Sequence, residues 1–194
     1  MSSQKEYLRL FYAVEIPEFI RHNIVECIAR YKELPDNLKW TSFGNLHLTL
    51  RFLGSVEFEK VADLKEILTR VSHKEKPFIY SLQGIGCFPN TKRARVIWIG
   101  ALKGVDSLKR IACSIEDNLV NYGFEKEERE FTPHVTISRL KDRTRKLTQP
   151  FQKYLQEDSD KFFGEFTLKN ISLIKSVLTP DGPVYTTLFK SILG

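Results

Sequence analysis

The chain has 194 residues, of which 42% are hydrophobic and 12% aromatic, and a formal net charge of +6 at pH 7. That is enough apolar side chain to bury a core without a disulfide framework or a structural metal. No apolar run approaches the roughly 20 residues of a membrane span, and the opening Met1-Ser2-Ser3-Gln4-Lys5-Glu6-Tyr7 puts charges where a signal peptide needs an apolar stretch, so a cytoplasmic chain without membrane attachment is expected.

Tyr7 to Ile16 reads as a strand, with Leu8, Leu10, Val14 and Ile16 on one face and Arg9 and Glu15 on the other. Pro17 then suits the first turn of a helix, and Ile20, Ile24, Ile28 and Tyr31 recur at helical spacing to about Leu34. Leu46 to Leu53 reads as a strand ended by Gly54, with Ser55 as the cap of a helix whose buried stripe is Phe58, Val61, Leu64 and Leu68. Strands follow from about Phe78 to Phe88 and Arg95 to Gly100, with turn chemistry at Pro89, Asn90 and Thr91 between them. A helix over Val105 to Tyr122 turns Leu108, Ile111, Ile115 and Leu119 inward, and Gly123 suits its end. A strand over about Phe131 to Leu140, a helix over about Thr148 to Gln156 and a long strand from Gly164 to Leu178 come next. A Pro180-Asp181-Gly182 turn and a strand from Val184 to Ile192 complete the pattern. Strands and helices alternate without the order of a doubly wound parallel sheet, so the expected class is α+β, in one domain over residues 1–194.

Two of these strands carry the same pattern: His47-Leu48-Thr49-Leu50 and His134-Val135-Thr136-Ile137. Strand alternation puts His47 and Thr49 on one face and His134 and Thr136 on another, opposite their aliphatic neighbours. Each motif follows a helix, which makes a faint internal repeat and predicts two pseudo-symmetric lobes whose motifs face each other. Histidine titrates near pH 7, so one copy can take a proton while the other gives one. The threonine hydroxyls can hold a phosphoryl oxygen as charge develops on it. Zinc is the competing use of two histidines, but neither motif has a nearby Cys, Asp or Glu on its histidine face, so no metal and no cofactor are expected. His22 and His73 lack ligand spacing to anything and read as surface residues. The repeat itself does not say which histidine gives the proton.

Cys27, Cys87 and Cys113 are an odd, scattered set and read as free thiols. The positive charge favours a polyanionic partner. Lys92, Arg93 and Arg95 form a basic loop suited to an RNA backbone, whereas Arg139, Lys141, Arg143, Arg145 and Lys146 read mostly as a solvated run.

The ordered blocks Leu10-Phe11-Tyr12-Ala13-Val14, Trp40 before Asn45-Leu46-His47-Leu48-Thr49-Leu50-Arg51-Phe52-Leu53-Gly54, Phe88-Pro89 before Val96-Ile97-Trp98-Ile99-Gly100, Phe131-Thr132-Pro133-His134-Val135-Thr136-Ile137-Ser138-Arg139 and Gly182-Pro183-Val184-Tyr185 span nearly the whole chain. In that order they resemble the two-histidine phosphoesterase superfamily, and within it the RNA 2′,3′-cyclic phosphodiesterases first described as 2′-5′ RNA ligases. The resemblance implies a bilobed α+β fold in which each lobe carries an antiparallel sheet with flanking helices and turns one motif towards a central cleft. It implies His47 as proton donor, His134 as proton acceptor, Thr49 and Thr136 on the phosphate, and hydrolysis of RNA 2′,3′-cyclic phosphate ends to 2′-phosphates. The alternatives are 2′-5′ RNA ligation at the same site without ATP, and an RNA-binding module without turnover. Similar proteins place an arginine where Arg139 stands, although alternation turns Arg139 away from His134 unless the strand bulges. Phe52 and Trp40 are candidates to stack a base, and equally candidates for the core. Arg51 points away from the histidine face. RNA ends or cyclic nucleotides are thus the expected partners of a monomer.

Overall fold

The computed structural model describes residues 5–141 and 146–194, so Arg143 and Arg145 of the basic run lie outside the described residues. Strand β1 (Tyr7–Glu15) sets the plan by its alternation. Leu8, Leu10, Tyr12 and Val14 enter the main core, whereas Phe11 and Ala13 on the opposite face form a small second cluster with Ile174, against which Tyr185 packs. One face of β1 therefore rests on helices and the other floors a polar groove.

Helix α1 (Glu18–Lys32) starts after Pro17 and buries Ile20, Ile24, Ile28 and Tyr31, the stripe its periodicity predicts. At roughly 1.5–3 kcal/mol for each fully buried large apolar side chain, that stripe is worth far more than the helix's intrinsic propensity. Strand β2 (Leu38–Trp40) has only three residues, too few to leave an alternation signal. Strand β3 (His47–Glu57) carries the first motif and runs on through Gly54, where a stop was expected. Gly54, at φ +75°, lies beside a register shift in which Leu10 faces Gly54 and Phe11 faces Phe52. The glycine thus makes a bulge, not an end. Ser55 consequently pairs with Arg9 and caps nothing. Helix α2 (Val61–Ser72) begins only after a 3₁₀ turn over Phe58–Lys60, which leaves Phe58 exposed, while Val61, Leu64 and Leu68 are buried as predicted.

Strands β4 (Phe78–Phe88) and β5 (Val96–Ala101) and helix α3 (Val105–Asn121) match their expected positions, and Leu108, Ile111, Ile115 and Leu119 are buried. Strand β6 (Val135–Leu140) is shorter than expected, with His134 just before its first residue. After α4 (Gln149–Glu157), the long strand anticipated over Gly164 to Leu178 is in fact two, β7 (Phe162–Leu168) and β8 (Asn170–Thr179). Strand β7 pairs with β4 and β8 with β1, so the chain changes neighbours at Lys169. Alternation reports which face a residue takes and carries no information about its partner strand, so this break is invisible in the pattern. Strand β9 (Gly182–Ile192) closes a hairpin with β8.

The sheet order is β7-β4-β5-β6-β3-β1-β8-β9, antiparallel throughout, with β2 attached to β6. It divides into two four-stranded halves, matching the predicted pair of lobes, but the sheet is continuous. Among the described residues the register joining β3 to β6 consists of one pair, Leu48 with Val135. One continuous core also runs beneath both halves. Helix α1 follows β1 yet packs on β7 of the other half, while α2 packs on α3, β8 and β9.

Strand β4 has a bend that sets its far end. Gly84, at φ +76°, is the residue at which the register with β5 shifts, just after the shift against β7, and its amide donates to Lys161 O at 2.9 Å while Ile85 N donates to Asp158 O at 2.9 Å. A Cβ at Gly84 would meet Ser159 O at 2.4 Å, and that oxygen is backbone and cannot swing aside. Gly84→Ala should therefore destabilise the fold by roughly 2–4 kcal/mol, read as a drop in the urea midpoint. Gly123→Ala, with φ +81° but open space around its Cβ, should cost only about 1 kcal/mol. Equal losses in the two variants would contradict the close approach at Gly84.

Candidate active site

His47 opens β3 opposite Glu15 of β1, and Thr49 stands opposite Ala13. Cross-strand partners share a face, so both point into the groove floored by Phe11 and Ala13 while Leu48 and Leu50 are buried in the core. His47 Nδ1 lies 2.7 Å from Asn45 O, and a carbonyl can only accept, so Nδ1 carries the hydrogen. Its Nε2 lies 3.0 Å from Thr49 Oγ1. With a neutral ring the hydroxyl donates to Nε2; with a protonated ring Nε2 donates to the hydroxyl. Asn45 is itself held by its side-chain amide, which donates to Pro183 O at 2.7 Å and so couples the motif to the β8–β9 hairpin.

The second motif repeats the bond at Nδ1. His134 Nδ1 donates to Thr132 O at 2.7 Å, again two residues upstream. In both copies the proton on Nδ1 is fixed by backbone, and Nε2 is the nitrogen able to exchange one. Thr136 pairs with Trp98 of β5 and faces the groove with it. The pairing of Leu48 with Val135 places the two motif strands side by side, one residue beyond each histidine.

Both imidazoles are partly dried by aromatic rings. Phe11 and Tyr185 approach His47 at centroid distances of 4.9 and 5.2 Å, and Phe88 meets His134 edge-on at 5.2 Å. Burial pushes the His47 imidazole below its ordinary value of 6.5, opposed by the bond to Asn45 O, and the positive charges of Arg139 and His134 push it further down. Burial does the same to His134, with Arg139 again adding to the effect.

Arg139 reaches this face by way of a bulge. Val96 pairs with Arg139 and Ile97 with Ser138, whereas Trp98 pairs with Thr136, so Ile137 is the extra residue in β6. Val96 and Trp98 lie on one face of β5, and their partners Arg139 and Thr136 therefore share it. The alternation that turned Arg139 away is overturned by one inserted residue. The same register assigns Trp40 to the opposite face: it pairs with Ser138, packs against the core and meets Tyr31 edge-on at 6.4 Å. Phe52, 53% exposed, lies 5.8 Å from Phe11 at the groove's edge. Arg51 is a tie between β3 and α3, ion-paired with Glu116 and donating to Glu125 O at 2.6 Å.

Lys92, Arg93 and Arg95 are exposed on a turn capped by Asn90, whose side-chain oxygen accepts from the amides of Lys92 and Arg93. His22 and His73 are exposed, as their spacing predicts. Phe11, Tyr185, Phe88 and Trp98 join the site without having been marked out by the motifs. The signal for Phe11 was present, since it falls on the same face of β1 as Arg9 and Glu15. Trp98 lies flat over backbone: a Cβ at Gly86 would meet its ring at 2.4 Å and one at Gly100 at 3.0 Å. It is also 5.0 Å from Phe88. Among the described residues no three His, Cys, Asp or Glu side chains are grouped to hold a metal, and no helix is long and apolar enough to cross a membrane.

The duplication seen in the motifs extends through the chain. The family pattern described as LigT like Phosphoesterase matches twice, over residues 14–98 and 101–185, and its copies start as far apart as the two histidines. The RNA 2′,3′-cyclic phosphodiesterase of Methanocaldococcus jannaschii is 43% identical over 183 residues, covering 93% of this chain and 98% of that one. A crystal structure of a Thermus thermophilus protein superposes with a TM-score of 0.81 at 30% identity, covering 96% of this chain and 98% of its own. Escherichia coli LigT in complex with 3′-AMP gives a TM-score of 0.79 at 27% identity, covering 97% and 99%. With both halves of the pattern matched and two imidazoles held alike in the seam between them, the chain belongs to the LigT-like phosphoesterase family.

Proposed function

We propose that this protein hydrolyses RNA 2′,3′-cyclic phosphodiester ends to 2′-phosphomonoesters, with two histidines as its acid and base and no metal. The observation that carries this reading is the matched pair of imidazoles, each with Nδ1–H given to a backbone carbonyl and Nε2 left for proton exchange. A relative 43% identical over nearly its whole length bears this activity in its name, and LigT accepts a ribonucleotide at 27% identity.

In the proposed reaction the cyclic phosphate lies between the two Nε2 atoms. His134 takes a proton from water as its oxygen bonds to phosphorus. The P–O3′ bond breaks opposite, and His47 protonates the departing O3′, which leaves a 3′-hydroxyl and a 2′-phosphate. The assignment of donor and acceptor follows the family resemblance. Thr49 and Thr136 hold non-bridging oxygens, Arg139 offsets the charge that grows on them, and Phe52 stacks the base. An arginine that lowers both histidine pKa values in the free protein is well placed for an anion: the phosphate neutralises the repulsion that the guanidinium otherwise exerts. The rim cations Lys92, Arg93 and Arg95 lie open to a longer strand.

The test is turnover of a cyclic-phosphate-ended RNA in the presence of a chelator. The wild type should release a 2′-phosphate at an undiminished rate. His47→Ala and His134→Ala should each lose at least about a hundredfold in kcat. Unchanged turnover in either variant, or loss of activity with the chelator, would contradict the mechanism.

The pH dependence has a definite sign. Both imidazoles titrate below 6.5, so each loses its proton as pH rises through a point on the acid side of that value. The reaction needs one protonated and one neutral ring. The kcat/KM profile, which reports the free enzyme, should therefore be bell-shaped with its apex on the acid side of 6.5. Bound substrate anion favours the protonated form, so the kcat profile should lie at higher pH. A kcat/KM apex well above neutrality would contradict the burial argument.

A further inference from the structure

Arg9 lies on β1 two residues before Phe11, on the groove side of the strand, and is exposed. It pairs with Ser55, two pairs beyond the Phe11–Phe52 pair. Among the described residues no carboxylate is within ion-pair distance of it. Of the neighbouring cations on this half, Lys5 is ion-paired with Glu57, Arg51 with Glu116 and Lys190 with Glu15. Burial raises the Tyr185 phenol, and the charges of Arg139 and Arg9 both pull the other way, so the ring feels both guanidiniums. Tyr185 is also edge-on to His47 at 5.2 Å and lies 5.1 Å from Phe11. Arg9 thus lies on the same side of β1 as Phe11, towards the end of an aromatic cluster formed by Phe11, Phe52 and Tyr185.

An aromatic ledge with a cation at its edge is how single-stranded nucleic acid is commonly held: bases stack while the cation takes the backbone. A solvent-exposed arginine that holds up no acid and no backbone carbonyl contributes little to the fold, whereas its charge adds to the positive field of the groove. We propose that Arg9 binds the phosphodiester immediately upstream of the reacting terminus, making this site selective for an RNA strand over a cyclic mononucleotide. The inference rests on the RNA-end reading above and specifies the direction in which the strand leaves the groove, past Tyr185 on the β1 half. The opposite exit would pass Lys39, which pairs with Arg139 and shares its face.

Arg9→Gln, Arg9→Lys and Lys39→Gln are compared on a cyclic-phosphate-ended oligoribonucleotide and on a 2′,3′-cyclic mononucleotide. Salt-dependent binding of a 3′-phosphorylated oligoribonucleotide is followed by fluorescence anisotropy. Arg9→Gln should raise KM for the oligonucleotide about tenfold, and KM for the mononucleotide by less than about twofold. The slope of log affinity against log salt should fall by about one in Arg9→Gln and be retained in Arg9→Lys and Lys39→Gln. Equal KM changes on the two substrates, or a lost slope in Lys39→Gln with a full slope in Arg9→Gln, would overturn the assignment. If the wild type turns over neither substrate, the hydrolase reading fails, and the anisotropy series still decides the role of Arg9.

Discussion

The arrangement depends on a single backbone pairing. Leu48 and Val135 are the one register pair joining β3 to β6 among the described residues, and each follows a motif histidine directly. The two halves of the sheet thus meet beside both motif histidines. Leu48 and Val135 are fully buried, so the seam is anchored in the common core while the histidines and threonines on either side of them face the groove. A slip of one residue at this seam would turn a whole motif inward, and burial of both aliphatic residues makes that slip costly. The short β2 adds a second tie: Thr41 Oγ1 donates to Thr136 O at 3.0 Å and buried Ser138 donates to Lys39 O at 3.1 Å, so sequence from the first half braces the second motif.

The seam brings two like-charged groups together, and their surroundings make that tolerable. Aromatic rings exclude water from His47 and His134, which favours the neutral forms. Neutral rings with Nδ1–H directed at a carbonyl are fixed in one tautomer, and a fixed tautomer lets a residue act as acid or base at a known atom. The bulge at Ile137 then adds Arg139 to the same face, and its charge disfavours a protonated histidine until an anion arrives. A groove that is cationic, partly dry and lined by hydroxyls is poorly satisfied on its own and well matched to a phosphate.

Much of this was legible in the residues. Apart from Phe58, the helical stripes and the alternation of β1 assigned the core faces correctly, because burial imposes periods of 3.6 and 2 on the sequence. The duplicated His-x-Thr was visible for the same reason. What alternation could not show was anything set by a neighbour. It missed the bulge that returns Arg139 to the groove, because an inserted residue is apparent only against the partner strand. The change of half at Lys169 left no break in the pattern, and Gly54 looked like a stop when it serves as a bulge. The rings around the histidines were hidden for a related reason. Phe11, Tyr185 and Phe88 come close only when other strands fold beside the motifs.

The central claim is that both histidines present a proton-exchanging Nε2 because backbone carbonyls hold Nδ1–H. Long-range ¹H–¹⁵N correlation of the imidazole nitrogens in the free protein at neutral pH tests it directly. His47 and His134 are both expected to be neutral, with hydrogen on Nδ1 and none on Nε2, and to gain a proton at Nε2 below pH 6.5. Either ring carrying its hydrogen on Nε2, or remaining cationic above neutrality, would contradict it.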